Sequence, residues 1–226
     1  MQLENVTESR RIEPKRGYDD ACGTAHALEL IGERWALLVL RELMLGSRRF
    51  TELRADLPGI SANVLTQRLT DLEERGLVVK KRLPPPASVQ VYEATPWGLE
   101  AEPIVQALGR WAARSPRHDP TLPISGVSIL LSFRTMFDPE RAKDMKAAIA
   151  FHFGDDRYFV EIGGGRLIAR RGEPERADLV VMTEPTMLAA VVYGKQPLEL
   201  IRFEGGRGLL QRFVDLFELP PKVGAS

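Results

Sequence analysis

A proline-rich segment near the middle of the chain constrains the fold more than any other feature. Residues 114–126, RSPRHDPTLPISG, hold three prolines and a glycine. Proline lacks a backbone N–H and disfavours helix at the residue before it, so this segment is expected to be an extended linker. The chain has 226 residues, which is long for one domain of about 150 residues. We therefore predict an N-terminal arm (1–19), a first domain (20–115), a linker (116–126) and a second domain (127–220).

Composition narrows the class of protein. The chain has 31 basic residues (lysine and arginine) and 31 acidic residues (aspartate and glutamate). This balance excludes a protein that is basic throughout, but it allows a protein with one basic face. Hydrophobic residues make up 44%, as in ordinary globular proteins. Cys22 is the single cysteine, so no intrachain disulfide forms. Because no apolar run approaches the roughly 18 residues of a membrane helix and the first residues lack a signal-peptide core, we expect a cytoplasmic protein without a membrane partner.

The spacing of apolar residues in the first half predicts a series of short helices. Helices are expected over residues 20–31, 33–45, 50–57 and 61–75. Ser61 is expected to cap the last of these through its hydroxyl. On a helical wheel, four apolar side chains share one face of that helix and predict its buried side: Val64, Leu65, Leu69 and Leu72.

The opposite face of the 61–75 helix carries side chains suited to reading bases. Asn63, Thr66 and Gln67 lie near its N-terminus and are uncharged. A solvated helix face usually carries Lys and Glu instead. Amide side chains can form paired hydrogen bonds with adenine in the major groove, so we predict that these three residues read bases.

A basic hairpin follows this helix. Residues 77–83 and 89–94 are rich in β-forming residues and flank a run of three prolines. A helix–turn–helix followed by such a hairpin is the plan of a winged helix, in which the hairpin, or wing, reaches phosphates. A further helix is predicted over 97–114, with a start that Pro103 kinks or delays. The predicted phosphate contacts are Arg48, Arg49, Arg68, Lys80, Lys81 and Arg82. For Arg48 and Arg49, plain solvated charges are the alternative.

The second half has the pattern of an α+β domain. A helix is predicted over 127–137, strands over 146–153, 157–163, 166–171 and 178–183, and helices over 185–193, 197–202 and near the C-terminus. We interpret this as an antiparallel sheet with helices packed on it. The glycine runs fit no phosphate-binding motif, and no catalytic triad spacing occurs. The sequence therefore predicts no enzyme, cofactor or metal site.

Cys22 is the one candidate for chemical sensing. It lies near the N-terminus of the first helix, where the helix dipole favours a thiolate, although Asp19 and Asp20 oppose it. His26, one turn along, would stabilise a thiolate when protonated. A buried or unreactive cysteine is the alternative. Cys22 and His26 alone do not make a zinc site, and His118 and His152 are expected to be solvated or core histidines.

Several motifs together resemble the HxlR-type winged-helix transcriptional regulators. The resemblance spans residues 20–115 and rests on the cysteine before the first helix and on IGERW, LLVLREL, RRFTEL, LPGIS, LTQRL and LEERGLV, in that order. It implies a homodimer joined through its first and last helices. It also implies that 61–75 is the recognition helix and 80–90 the wing, and that the regulated genes serve metabolism or the response to electrophiles and oxidants. Two such helices need half-sites about 34–36 Å apart, so the operator is expected to be an inverted repeat.

The second half resembles the sterol carrier protein-like fold over residues 128–218. The similar segments are YFVEIGGGRLIARRGEPERADLVVMTEPTMLAAVVYGKQPLELI and FEGGRGLLQRFVDLF. This resemblance implies an apolar tunnel that takes a small hydrophobic ligand. The leading hypothesis is thus a homodimeric DNA-binding regulator, most simply a repressor, that responds to a hydrophobic or reactive effector. The alternative is a lipid-binding or scaffolding protein whose winged helix makes protein contacts.

Overall fold

The computed structural model describes residues 17–224. Residues 1–16 of the predicted N-terminal arm lie outside them. Residues 17–115 are called the N-terminal region below, and residues 116–224 the C-terminal region. No helix among the described residues is long and apolar enough to cross a membrane.

The N-terminal region folds as a winged helix-turn-helix, as predicted. Four helices precede a two-stranded antiparallel hairpin, and the strands pair from Val78 with Ala94 to Arg82 with Gln90. The backbone of Arg48 adds a single antiparallel bridge to β2, because Arg48 and Tyr92 exchange N–H···O bonds of 2.9 and 2.8 Å. The elements are α1 (Gly23–Ile31), α2 (Ala36–Glu42), α3 (Phe50–Asp56), α4 (Ala62–Glu74), β1 (Val78–Arg82) and β2 (Gln90–Ala94).

Helix α4 begins where the sequence predicts. The Ser61 hydroxyl accepts a hydrogen bond from the backbone N–H of Val64 at 3.3 Å, which satisfies one of the orphan donors at the helix start. The predicted face is buried at Leu65, Leu69 and Leu72. The assignment of Val64 to that face was wrong, since its side chain is 38% exposed. One residue is a rotation of about 100°, which turns Val64 away from the three leucines.

The single helix predicted over 97–114 is two helices. Helix α5 covers Pro96–Leu99 and α6 covers Glu102–Ala113. Pro103 stands in the first turn of α6, where its missing N–H is tolerated, and the later start was anticipated from this proline.

The C-terminal region is a five-stranded sheet with helices, in the strand order β5-β4-β3-β6-β7. The four predicted strands are present. The expectation of an antiparallel sheet was wrong, because β6 pairs in parallel with β3 instead of with β5. The elements are α7 (Gly126–Met136), α8 (Pro139–Ala142), β3 (Ala147–Phe153), β4 (Asp156–Gly163), β5 (Arg166–Arg171), β6 (Leu179–Met182), α9 (Pro185–Val192), β7 (Arg202–Gly205) and α10 (Arg207–Val214).

Sequence reasoning misread the segment before α10. Residues 197–202 were predicted to be helical, but only Leu198–Leu200 form a single 3-10 turn. After Ile201, residues Arg202–Gly205 form the edge strand β7, which was not predicted. Its side chains are mostly exposed and it ends in a glycine pair, so it lacks the apolar alternation by which strands are recognised.

Aromatic side chains fill the space between this sheet and its helices. The ring of Phe133 lies 4.5 Å from that of Phe217 and 5.3 Å from that of Phe213, measured between centroids. Phe151 lies 5.6 Å from Phe213. All four side chains have no solvent exposure. Side chains therefore occupy the place where the sterol carrier resemblance implies a tunnel.

The two regions meet along a contact that we call the seam, formed by α2 and α6 on one side and α7 and the β3–β4 turn on the other. Glu42 of α2 accepts a hydrogen bond of 2.9 Å from the hydroxyl of Ser125, which caps α7. Glu102 of α6 lies 2.6 Å from the guanidinium of Arg134 on α7. The proline-rich linker thus holds packed residues as well as turns.

Candidate DNA-binding surface

The outer face of α4 presents the side chains predicted to read bases. Asn63, Thr66 and Gln67 are all exposed. The Thr66 hydroxyl donates to the Ala62 carbonyl at 2.9 Å, and the Gln67 amide donates to Asp71 Oδ1 at 2.7 Å. The remaining hydrogen-bonding capacity of these groups is directed to solvent, as recognition of a base edge requires.

The wing places three cations in solvent beside that face. Lys80, Lys81 and Arg82 lie on β1 and are exposed. Lys81 Nζ lies 2.9 Å from Glu93 Oε1 across the hairpin, and both side chains are well hydrated. Exposed pairs of this kind contribute little, so a phosphate can displace the carboxylate at low cost. Arg82 Nε donates to the Ser88 carbonyl at 3.3 Å, which directs its guanidinium toward the hairpin tip.

Arg48 and Arg49 are neighbours with opposite placements. Arg49 is half exposed and lies 3.9 Å from Glu52. Arg48 is 2% exposed, and its guanidinium bonds Asp56 of α3 and, at 2.8 Å, Asp156 of the C-terminal region. The prediction that Arg48 binds a DNA phosphate does not fit this placement, because its charge is enclosed and already compensated.

The electrostatics of this cluster follow from its burial. Burial alone would lower the pKa of Arg48, but the hydrogen bond to Asp156 and the nearby carboxylates raise it overall. Burial raises the pKa of Asp56 against the opposing charge of Arg48. Arg171 also lies 3.3 Å from Asp156. Two arginines and two aspartates therefore share the seam, and each charged side chain has a partner of opposite sign.

Arg68 is also held inside the protein surface. Its side chain is 13% exposed and lies 3.3 Å from Glu33, before α2, and 3.2 Å from Asp71 on α4. The prediction of a phosphate contact does not fit this placement either. The guanidinium of Arg68 pairs with both carboxylates, and its contact with Glu33 connects α4 to the turn between α1 and α2.

Glu42 is a buried carboxylate that sequence reasoning did not single out. Its Oε1 accepts from Arg41 Nε at 2.8 Å and from Ser125 at 2.9 Å, while Oε2 has no hydrogen-bond partner within the described residues. Burial raises its pKa, and the neighbouring Arg41 partly offsets this effect. A signal was present, since the helical spacing from Val39 places Glu42 on the buried face of α2.

Cys22 occupies the N-cap of α1 and is exposed. The nearby backbone N–H groups of Ala25 and Thr24 lower the pKa of its thiol. His26 turns to Glu29, with Nδ1 2.9 Å from Oε2, so it pairs with that carboxylate. The exposed thiol with a lowered pKa is the environment in which a cysteine reacts.

The other histidines lie away from this face. Burial and the nearby Lys222 ammonium lower the pKa of His118. His152 Nε2 lies 2.9 Å from Glu173 Oε1. Within residues 17–224, no three His, Cys, Asp or Glu side chains are grouped as metal ligands.

Similarity to known proteins agrees with this geometry. The family model described as HxlR-like helix-turn-helix matches residues 30–119. The uncharacterized HTH-type transcriptional regulator YvaP of Bacillus subtilis is 38% identical over 87 residues, which are 38% of this chain and 80% of that protein. The chain belongs to the HxlR-like helix-turn-helix family. It is therefore a helix-turn-helix transcriptional regulator, and regulators of this kind bind DNA.

YodB of Bacillus subtilis, another HTH-type transcriptional regulator, is 34% identical over 86 residues, covering 38% of this chain and 77% of YodB. Its solved reduced form is 30% identical, with a TM-score of 0.39 over 44% of this chain and 100% of that one. Its quinone-bound form is 32% identical, with a TM-score of 0.34 over 39% of this chain and 93% of that one. The HxlR-like match ends at residue 119 and leaves most of the C-terminal region outside it.

Helices α1 and α6 of this HxlR-like regulator both carry exposed apolar side chains. Trp111 on α6 is 73% exposed, Ile104 is 47% exposed, and Leu28 on α1 is 48% exposed. Trp97 and Ile104 also border a groove of about 190 Å³ against α1. Ile104 and Trp111 are seven residues apart and so share one face of α6, and exposed apolar faces of this kind are typical of a protein contact.

Proposed function

We propose that this HxlR-like regulator is a homodimeric repressor that binds an inverted-repeat operator in the cytoplasm. The observation that carries the proposal is the exposure of uncharged polar side chains on α4 together with the exposed cations of the wing, whose strand β1 contacts α4. In this proposal Asn63, Thr66 and Gln67 read bases, and the capped N-terminus at Ser61 faces the DNA backbone. The phosphate contacts are Arg49, Lys80, Lys81 and Arg82.

The division into domains is part of the same proposal. Residues 20–115 are the DNA-binding domain, 116–126 the linker, and 127–220 a sterol carrier protein-like domain. The mixed sheet with helices supports an α+β unit. Because the phenylalanine core fills its interior, we do not place the effector there.

Dimerisation is proposed through the apolar surface on α1 and α6. Burying Trp111, Ile104 and Leu28 against a second copy would remove this surface from water. Sedimentation analysis of Ile104→Asp should give a monomer where the unaltered chain gives a dimer. Leu200→Asp is the matched control, since Leu200 is likewise exposed but lies in the C-terminal region. A dimer that survives Ile104→Asp would overturn this contact.

We also propose that Cys22 senses electrophiles or oxidants. Its exposed thiol and the nearby backbone N–H groups that lower its pKa support this role. Treatment with benzoquinone should release DNA from the unaltered protein and leave Cys22→Ser bound. Equal release from both proteins would contradict the role of Cys22.

A mobility shift with the protein's own upstream DNA tests the DNA-binding part. Binding at micromolar protein that weakens steeply with salt supports the proposal. If no salt-sensitive shift occurs, the alternative of a lipid-binding or scaffolding protein is favoured.

A further inference from the structure

A cleft at the seam opens between the DNA-binding helices and α7. Its volume is about 550 Å³, and its walls come from α2, α6, α7 and the end of the linker. Small-molecule sites commonly measure about 300–1,000 Å³ and are mostly apolar with a few polar groups. Leu38, Leu108 and Leu131 contribute to the apolar walls, one from each helix.

One cation with unused donors stands in this apolar lining. Arg41 lines the cleft and is 21% exposed, and both of its contacts with Glu42 go to one oxygen, Oε1, at 2.8 and 2.6 Å. A guanidinium has five N–H donors, so several remain for another acceptor. Ser128 also lines the cleft, and its buried hydroxyl has no hydrogen-bond partner within residues 17–224.

The charges around the cleft favour an anion. Asp56 borders it, but the guanidinium of Arg48 compensates that carboxylate. Lys222 lies against His118, another lining residue, with its ammonium 3.0 Å from the His118 carbonyl. Glu42 is enclosed behind Arg41 and faces Ser125.

We propose that this cleft binds a small molecule with a ring-sized apolar body and a single anionic group. The apolar body lies between α2, α6 and α7, and the anion bonds Arg41 and Ser128. The inference rests on the proposed function in one respect, since it identifies this ligand as the effector. Because both regions line the cleft, a ligand that prefers one arrangement of the seam shifts the protein toward that arrangement.

The test uses two fluorescent probes that differ mainly in charge. Anilinonaphthalene sulfonate carries an aromatic body and one anion, while phenylnaphthylamine lacks the sulfonate. The unaltered protein should bind about one sulfonate probe per chain, about tenfold more tightly than the neutral probe, as expected for one charge-assisted contact. Equal affinity for the two probes would overturn the assignment of an anionic ligand.

Filling the cleft distinguishes it from other apolar surfaces. Gly109 of α6 lines the cleft, and a Cβ built on it has open space, so Gly109→Trp adds a large side chain without a backbone clash. Gly208→Trp is the matched control, because Gly208 is also an open helical glycine but lies on α10. Gly109→Trp should weaken binding of the sulfonate probe at least about tenfold, whereas Gly208→Trp should not. Unchanged binding by Gly109→Trp would overturn the site.

The role of Arg41 is tested without leaving a buried charge unpaired. The double variant Arg41→Gln with Glu42→Gln removes both partners and should abolish the preference for the sulfonate probe. Glu42→Gln alone frees the guanidinium and should strengthen sulfonate binding severalfold. If the double variant keeps the preference, Arg41 does not bind the anion.

The probe titrations need no DNA, so a negative result for the cleft site can be distinguished from a negative result for the proposed function. If the protein binds specific DNA but does not bind one probe per chain, the proposed regulator function stands and the proposed cleft site is overturned. If the probes bind as expected but the protein does not bind DNA, the cleft is supported as a ligand site and its assignment as an effector site is overturned. If both hold, saturating the sulfonate probe should change the affinity for DNA, and no change would overturn the assignment as effector site.

Discussion

The wing and the seam are both rich in charged side chains, but they use those charges differently. On the wing, Lys80 and Lys81 stand in water, with one exposed carboxylate within reach. At the seam, Arg48 is enclosed and bonded to Asp56 and Asp156. A charge in water can be transferred to a phosphate at low cost, whereas an enclosed and compensated charge stabilises the arrangement of the protein. Basic residues near a helix-turn-helix therefore divide into ligand-facing and structural groups according to burial.

The largest expected effect is at the seam. Arg48→Ala leaves two carboxylates without their main partner, and it should lower the free energy of unfolding by about 3 kcal/mol, because the carboxylates remain partly hydrated. Urea unfolding measures this value. The neighbouring Arg49→Ala should change it by less than about 0.5 kcal/mol. Equal effects of the two variants would contradict the division between structural and ligand-facing charges.

Gln67→Ala should have the next largest effect, on specificity instead of stability. Removing the amide should cost about 1–3 kcal/mol of discrimination at one base position. Binding to operators substituted one base pair at a time measures this loss. Thr70→Ala, exposed on the same helix but farther from its N-terminus, is the control and should leave specificity unchanged. An equal loss on specific and random DNA would remove Gln67 from the base-reading set.

Glu42 should make stability depend on pH. Its pKa is raised in the folded protein by burial, so the folded state holds the proton more tightly than the unfolded state. The contribution of Glu42 is then most favourable at pH values below the ordinary pKa of glutamic acid and is lost as the pH rises through the raised value. Glu42→Gln should remove this decline, with a difference on the order of 1 kcal/mol between acidic and neutral pH.

Unfolding free energies of both proteins across this pH range provide the measurement. Glu52→Gln is the control for replacing an exposed glutamate, since the Glu52 side chain is 38% exposed. Parallel pH curves for Glu42→Gln and the unaltered protein would show that the buried carboxylate does not titrate in this way.

The smallest expected effect belongs to a single wing cation. Lys81→Ala should weaken binding to all DNA sequences alike and reduce the slope of log affinity against log salt by about 0.9 for each phosphate that the protein no longer neutralises. Titrations at several salt concentrations measure the slope. Lys195→Ala, an exposed lysine of the C-terminal region, should leave it unchanged. A change of specificity in Lys81→Ala would contradict a contact with phosphate alone.

The sequence predicted the parts of the fold that depend on local signals. Ser61, the leucines of α4 and the β-forming residues of β1 and β2 are local signals, and the structure has these elements where they were expected. The partnership of β3 with β6 depends on packing between distant segments, so periodicity could not indicate it. Strand β7 has no apolar alternation and forms by pairing with β6 at the edge of the sheet.

The candidate site divides in the same way. The exposure of Asn63 and Gln67 follows from their position opposite the buried leucines of the same helix. The burial of Arg48 depends on Asp156, which is 108 residues away along the chain. The cleft at the seam likewise needs walls from both halves of the chain, and neither half alone indicates it.

The most direct test of the account is the salt dependence of operator binding by the combined variant Lys80→Ala, Lys81→Ala and Arg82→Ala. The account predicts salt-sensitive binding by the unaltered protein and a slope that falls by about 0.9 for each phosphate that the variant leaves without a cation. It also predicts that the free energy of unfolding stays within about 0.5 kcal/mol for each exposed substitution. An unchanged slope in the combined variant would contradict the claim that the wing holds the DNA backbone.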